Sequence, residues 1–167
     1  MLIVFGGLPG TGKTTIAREL ARQIAAIHLR IDSIEQAIRD CGSVAPPLDE
    51  AGYRVAYAIA EDNLRIGRIV VADSVNPLPI TRDAWIEVAQ RTQVCAIEIE
   101  VKCSDSEEHR RRVVERTGDI SGLRLPTWQE VVSREYHPWH REHIVIDTAG
   151  RTVDQNVKFL REVLPRR

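Results

Sequence analysis

The sequence predicts an α/β fold, a mostly parallel five-stranded sheet with helices on both faces, and three observations carry that expectation. Short apolar runs alternate with longer amphipathic stretches, the pattern of βαβ units. The 167 residues, 43% of them hydrophobic, suffice for one core but not for two. Basic and acidic residues number 23 and 24 and give a net charge of -1, the balance of a globular chain. Residues 1–167 are therefore expected to form a single domain.

The elements follow in order. The first strand is expected at "LIVFG", residues 2–6. After a glycine-rich turn, "TTIARELARQIAA" places Ile16, Leu20 and Ile24 four residues apart, one apolar stripe on a helix whose other face is charged. Further strands are expected at "AIHLRI" (26–31), "RIVVAD" (68–73), "VCAIEIEV" (94–101) and "HIVID" (143–147). Ser104 with Glu107, Thr127 with Glu130 and Thr152 with Gln155 match the capping box, in which two side chains satisfy open N–H groups at a helix start. Glu98 and Glu100 fall on one face of a strand that is otherwise expected to be buried, so they need partners that the sequence does not identify. Two stretches, 40–52 and 117–126, read as loops after strand-helix units, where a flap over a site is expected; neither reads as a linker.

Composition excludes several classes. No apolar run is long enough to cross a bilayer and no leader-like segment opens the chain, so a cytoplasmic protein without a membrane partner is expected. Cys41, Cys95 and Cys103 are odd in number and show no CxxC spacing, which fits reduced thiols. Near-neutral charge speaks against a protein that coats nucleic acid. The five histidines (His28, His109, His137, His140, His143) share no metal-ligand spacing and read as structural or solvated. Trp128, Trp139 and Tyr136 are expected to pack the helix after the second loop.

The most specific signal is "GGLPGTGKTT", residues 6–15. Gly7, four residues and then Gly12-Lys13-Thr14 meet the GxxxxGK[ST] pattern, with the required strand before and helix after. A loop that wraps phosphate must bring backbone N–H groups to the oxygens with no Cβ in the way, and the following helix start adds partial positive charge. The backbone from Gly7 through Leu8, Pro9, Gly10, Thr11, Gly12, Lys13 and Thr14 to Thr15 is the expected cradle. Lys13 would reach the β- and γ-phosphates, and the Thr14 hydroxyl would ligate Mg²⁺.

Such a P-loop serves kinases, GTPase switches and motor ATPases. No Asn-Lys-x-Asp guanine motif is present, and the Asp-x-x-Gly match at Asp119 to Gly122 lies in a loop rather than after a strand. "RIVVAD" continues into Asp73-Ser74 rather than an Asp-Glu pair, and the length leaves no room for a second helical domain. Small-molecule phosphotransfer is what remains. A 5′-hydroxyl kinase acting on a nucleoside or oligonucleotide end is the alternative among enzymes, and a regulatory protein with slow hydrolysis the alternative outside them.

"FGGLPGTGKTTIARELA", the Asp in "LRIDSI", "VVADSVNPLPITRDAW", the arginines four apart in "RRVVER" and "IVIDTAG" together resemble the small P-loop kinases related to polynucleotide kinase, zeta-toxin, chloramphenicol phosphotransferase and gluconate kinase. The resemblance spans nearly the whole chain and implies the P-loop three-layer sandwich with a small lid, placed here at about 117–126. It implies ATP and Mg²⁺ as cofactors, a small-molecule acceptor, and nucleic acid as a less favoured one. Asp32, at a strand's carboxyl end, would bind the acceptor hydroxyl and act as base; a helix cap is the competing reading. Asp73 would hold the metal, directly or through water. Arg112 and Arg116, at the start of the lid, would clamp the nucleotide and meet the transferring phosphoryl, with Arg124 in reserve. Arg82 would be either an acceptor-side arginine or a solvated helix residue. The acceptor pocket is expected along "DCGSVAPPLDEAGYRVAYAIAED", residues 40–62.

Overall fold

We describe residues 1–42 and 50–165 from a computed structural model. Five strands are present: β1 (Leu2–Gly6), β2 (Ile27–Arg30), β3 (Val70–Asp73), β4 (Ala96–Lys102) and β5 (Ile144–Asp147). The helices are α1 (Lys13–Gln23), α2 (Ile31–Asp40), α3 (Ala51–Arg65), α4 (Pro79–Arg91), α5 (Ser106–Glu115), α6 (Trp128–Val132) and α7 (Val153–Val163). The sheet order is β2-β3-β1-β4-β5 and every pairing is parallel, so the mostly parallel expectation becomes an all-parallel one. All five expected strands form, β1 with the bounds expected and the other four shortened or shifted at their ends by one or two residues.

The alternation of side chains along β1 makes the layers. Ile3 and Phe5 point to one face and pack with Ile16 and Leu20 of α1 and with Val157 and Leu160 of α7. Leu2 and Val4 point to the other, against Ala56 and Ala60 of α3 and Trp85 and Val88 of α4. Each of these side chains is essentially fully buried, so β1 is the spine of a three-layer sandwich. Loops that leave the carboxyl ends of β1, β2 and β3 therefore open on one side, at the crevice where parallel sheets bind ligands.

Two of the three capping boxes form as expected, at Thr127 with Glu130 and Thr152 with Gln155. The third does not. Asp105 caps α5 by accepting from the N–H groups of Glu107 and Glu108, while Ser104 donates its own N–H to Asp147. A carboxylate one residue nearer the helix displaces the hydroxyl because it carries full charge against the helix's positive end. The expected loop 117–126 carries neither helix nor strand; residues 43–49 of the loop expected at 40–52 lie outside the described residues. No disulfide joins Cys41, Cys95 or Cys103, and among the described residues no helix is long and apolar enough to cross a membrane.

Glu98 and Glu100 acquire their partners here. Both are nearly buried on β4; Arg141 forks onto Glu98 at 2.8 and 2.9 Å, and Lys102 lies 2.8 Å from Glu100 with His143 at 3.4 Å. These contacts pin the segment before β5 onto the sheet, a long-range pairing that strand periodicity cannot reveal.

Candidate active site

The loop between β1 and α1 is braced from three directions. A Cβ on Gly7 (φ +140) would sit 2.2 Å from the Val101 carbonyl oxygen, and one on Gly10 (φ +84) 2.3 Å from a Val113 methyl carbon. Both glycines are therefore required by close approach as well as by backbone angle. His109 Nε2 lies 2.8 Å from the Pro9 carbonyl, edge-on to Trp128, and the Thr148 hydroxyl donates to the Thr11 carbonyl at 2.9 Å. Gly12 is the N-cap of α1 and no side chain caps that helix, so its first N–H groups face the loop's hollow.

At the floor lies a buried polar cluster. Lys13 Nζ donates to Asp73 Oδ1 at 3.1 Å and the Thr14 hydroxyl to the same oxygen at 3.3 Å, while His28 Nε2 lies 3.3 Å from Oδ2. Asp73 is 1% exposed. Burial by itself would raise its pKa, but the Lys13 ammonium and the His28 imidazole outweigh that and hold the carboxyl below the usual aspartate range. β3 pairs with β1 so that Asp73 lies opposite Phe5, which sets the carboxylate beside the phosphate loop. The hydroxyl of Thr14 and the carboxylate of Asp73 are hard oxygen donors side by side, a set that suits a divalent cation whose remaining ligands are phosphate and water.

Around this floor is a cleft of about 730 Å³, lined by Lys13, Thr14, Asp32, Arg112, Arg116 and Arg124 among others. Asp32 sits in the first turn of α2, but Arg30 is the N-cap and no side chain caps the helix. The cap alternative is therefore not the local arrangement. The Asp32 carboxylate is 42% exposed and, among the described residues, its one ion pair is with Arg30 at 3.8 Å. Arg112 donates to the Thr148 hydroxyl at 2.7 Å and to the Thr148 carbonyl at 3.0 Å, and pairs with Glu108, which fixes its guanidinium beside Gly12. Burial lowers the Arg116 pKa and the Asp32 charge opposes that fall. Arg124 pairs with Glu130 at 2.6 Å.

Against this site the chain can be compared with known proteins. Residues 2–134 match the family described as AAA domain. The chain belongs to that family. This AAA domain protein is 29% identical to an uncharacterised protein of Mycobacterium tuberculosis over 98% of its own length but only 35% of the relative's, so it spans about a third of that relative. It is 27% identical to a probable adenylyl-sulfate kinase of Aeropyrum pernix, covering 92% of this chain and 86% of that one. A shikimate kinase of Corynebacterium glutamicum is 30% identical over 79% of this chain and 83% of its own. Among solved structures, a putative kinase of Chloroflexus aurantiacus superposes with a TM-score of 0.75 at 19% identity, over 98% of each chain. The Mycobacterium tuberculosis APS kinase in complex with AMPPNP and APS gives 0.70 at 17%, over 96% of this chain and 95% of that one. The fold is that of the P-loop kinases.

Two expectations change in this AAA domain protein. Arg82 is neither acceptor-facing nor solvated: it is 3% exposed, stacks over Trp139 at 4.3 Å, and donates to the carbonyls of Asn76, Pro77, His137 and Pro138 at 2.6 to 3.0 Å. It knits the loop after β3 to the segment before β5, because a guanidinium can satisfy several backbone acceptors at once. Trp139 and Tyr136 belong to that same knot rather than to α6; Trp128 alone packs there, against His109. Two participants were missed by sequence reasoning. His28 touches Asp73 only because β2 pairs with β3, and Asp119 accepts from Arg18 at 2.6 Å and from Arg30 at 2.8 and 2.9 Å, tying the 117–126 loop to α1 and to the end of β2. The Asp-x-x-Gly match had already singled out Asp119, but for a different role.

Proposed function

We propose that the protein is an ATP-dependent kinase that moves the γ-phosphoryl of ATP, with Mg²⁺, onto a hydroxyl of a small polar molecule. The observation that carries this is one cleft holding both a P-loop, with its Lys13, Thr14 and Asp73 cluster, and a separate accessible carboxylate, Asp32, beneath an arginine-bearing loop. A protein that only bound or slowly hydrolysed nucleotide would not need the second carboxylate. The relatives named as adenylyl-sulfate and shikimate kinases, and the APS kinase solved with AMPPNP, favour the same reaction class.

In this reading the backbone N–H groups of the loop and Lys13 hold the β- and γ-phosphates. Bound Mg²⁺ would neutralise charge on those phosphates, with Thr14 and Asp73 as the residues that hold it. Asp32 accepts the acceptor's hydroxyl proton and aims its oxygen at phosphorus. Arg112 holds the nucleotide, Arg116 meets the charge that spreads over the phosphoryl oxygens, and the 117–126 loop excludes water as a lid. Catalysis is then mostly positioning and charge neutralisation.

The test is ADP release measured with and without candidate alcohols, alongside thermal shift with ATP·Mg²⁺. Acceptor-dependent release is the expected result. Release that no alcohol accelerates, with ATP bound, would overturn the kinase reading in favour of a slow hydrolase.

A further inference from the structure

We infer that the acceptor is a small alcohol that carries its own anionic group, a phosphate, sulfate or carboxylate, recognised by Arg39 and Arg134 beyond Asp32. The inference rests on the kinase reading and names the substrate class of the same site.

Charge distribution carries it. The whole chain is nearly neutral, yet the cleft is lined by nine Lys or Arg side chains against three Asp or Glu. A nucleoside triphosphate and its transfer account for Lys13, Arg112 and Arg116. They do not account for the far end. β2, from which Asp32 follows, is separated from β1 by β3, which sets the Asp32 end of the cleft about 10 Å along the sheet from the phosphate loop. Arg39 is seven residues after Asp32 on α2 and so shares its helix face, and both line the cleft. Arg134, just past α6, lines it from the other side and also lines the adjoining hollow with Arg39.

The carboxylates present do not saturate these cations. Asp119 is engaged by Arg18 and Arg30, and Glu35 pairs with Arg39 at 3.2 Å. Arg116 and Arg134 form no ion pair among the described residues, and the Arg30 Nε is buried without a hydrogen-bond partner there. Like charges gathered beside one exposed carboxylate repel each other, and an oxyanion relieves that repulsion while arginine forks supply paired donors in its plane. The cleft's size, with a triphosphate occupying part of it, suits a metabolite rather than a polymer.

The experiment first saturates the wild type with AMPPNP·Mg²⁺, so that the phosphate loop is filled, and then titrates inorganic phosphate or sulfate by calorimetry and thermal shift. A second, saturable stabilisation is expected, weakened roughly tenfold or more in Arg39→Gln/Arg134→Gln with the AMPPNP affinity retained. Matched acceptor pairs, glycerol against glycerol phosphate and glucose against gluconate, should then favour the anionic member in ADP release, and the double variant should lose that preference through KM. If AMPPNP does not bind, the kinase reading falls and this inference with it. If AMPPNP binds but phosphate and sulfate give no second stabilisation, or the double variant responds as the wild type does, the inference alone is overturned. Preference for a 5′-hydroxyl oligonucleotide over every small anionic alcohol would overturn it too.

Discussion

Asp73 ends β3 and Asp32 follows β2, neighbouring strands of one sheet, yet their surroundings differ sharply. Asp73 is 1% exposed and has Lys13, Thr14 and His28 within 3.3 Å. Asp32 is 42% exposed with one long ion pair to Arg30. The difference teaches how the cleft divides its labour. The proposed phosphate end is already assembled, since its polar groups are buried and satisfy one another. The proposed acceptor end is left accessible, with a carboxylate and several arginines whose pairing an incoming molecule would complete.

The largest effect is expected from Lys13→Ala, which attacks the assembled end. Transfer should fall by roughly 10³-fold or more, and the stabilisation of about 2.7 kcal/mol that a nucleotide at a hundred times its Kd confers should vanish. Sequence alone would leave the fold of this variant intact; the buried pair with Asp73 says otherwise, because the carboxylate loses its cation, and a loss of about 3 kcal/mol in unfolding free energy is expected. Lys13→Met with Asp73→Asn should recover that stability without recovering transfer. Unchanged ATP affinity in the single variant would sink the phosphate-loop assignment.

Asp32→Asn probes the accessible end. Turnover should drop roughly 10²–10⁴-fold while ATP·Mg²⁺ affinity stays near wild type, because the amide keeps the shape but takes no proton. Stability should move by less than about 0.5 kcal/mol, since the side chain caps no helix. Turnover within about threefold of wild type would remove Asp32 from the catalytic residues and turn attention to Asp73.

Acid should expose what Asp73 contributes to stability. A native pKa held below the usual aspartate value of 3.8 means that Asp73 stabilises the fold above that pH, and that the contribution is lost as pH falls below it. Denaturant unfolding followed downward from about pH 5 should show stability falling with a slope approaching about 1.4 kcal/mol per pH unit, and Asp73→Asn should flatten it.

The smallest effect concerns the 117–126 loop. Asp119, pulled down to about 2 chiefly by Arg18 and then by Arg30, ties the loop to α1 and β2, and its pair with Arg18 is half exposed on both sides. Such pairs contribute roughly 0.2–1 kcal/mol and weaken with salt. Asp119→Asn should therefore raise the KM for ATP and speed proteolysis within 117–126 by no more than about fivefold, with the difference from wild type shrinking at high salt. A tenfold change that ignores salt would mean that the loop is held in some other way.

Much of this was legible in the chain itself. β1 reads as a strand because five apolar residues precede glycine, and the phosphate loop reads from its own spacing, since both the glycines and the Lys13-Thr14 pair act where they stand in sequence. Periodicity sets α1 and α7 against the sheet, and capping chemistry places the starts of α6 and α7, all of these being local effects within a turn or two of backbone. What only the tertiary structure decided is pairing over long separations. His28 meets Asp73 across 45 residues, Arg141 meets Glu98 across 43, and Asp119 meets Arg18 across 101. Arg82 lies in a helix's first turns, where sequence leaves it either acceptor-side or solvated, yet it is buried because the segment before β5 folds over it. A side chain's local pattern fixes the face on which it sits; what faces it is set by strand order and loop closure, which no stretch of residues records by itself.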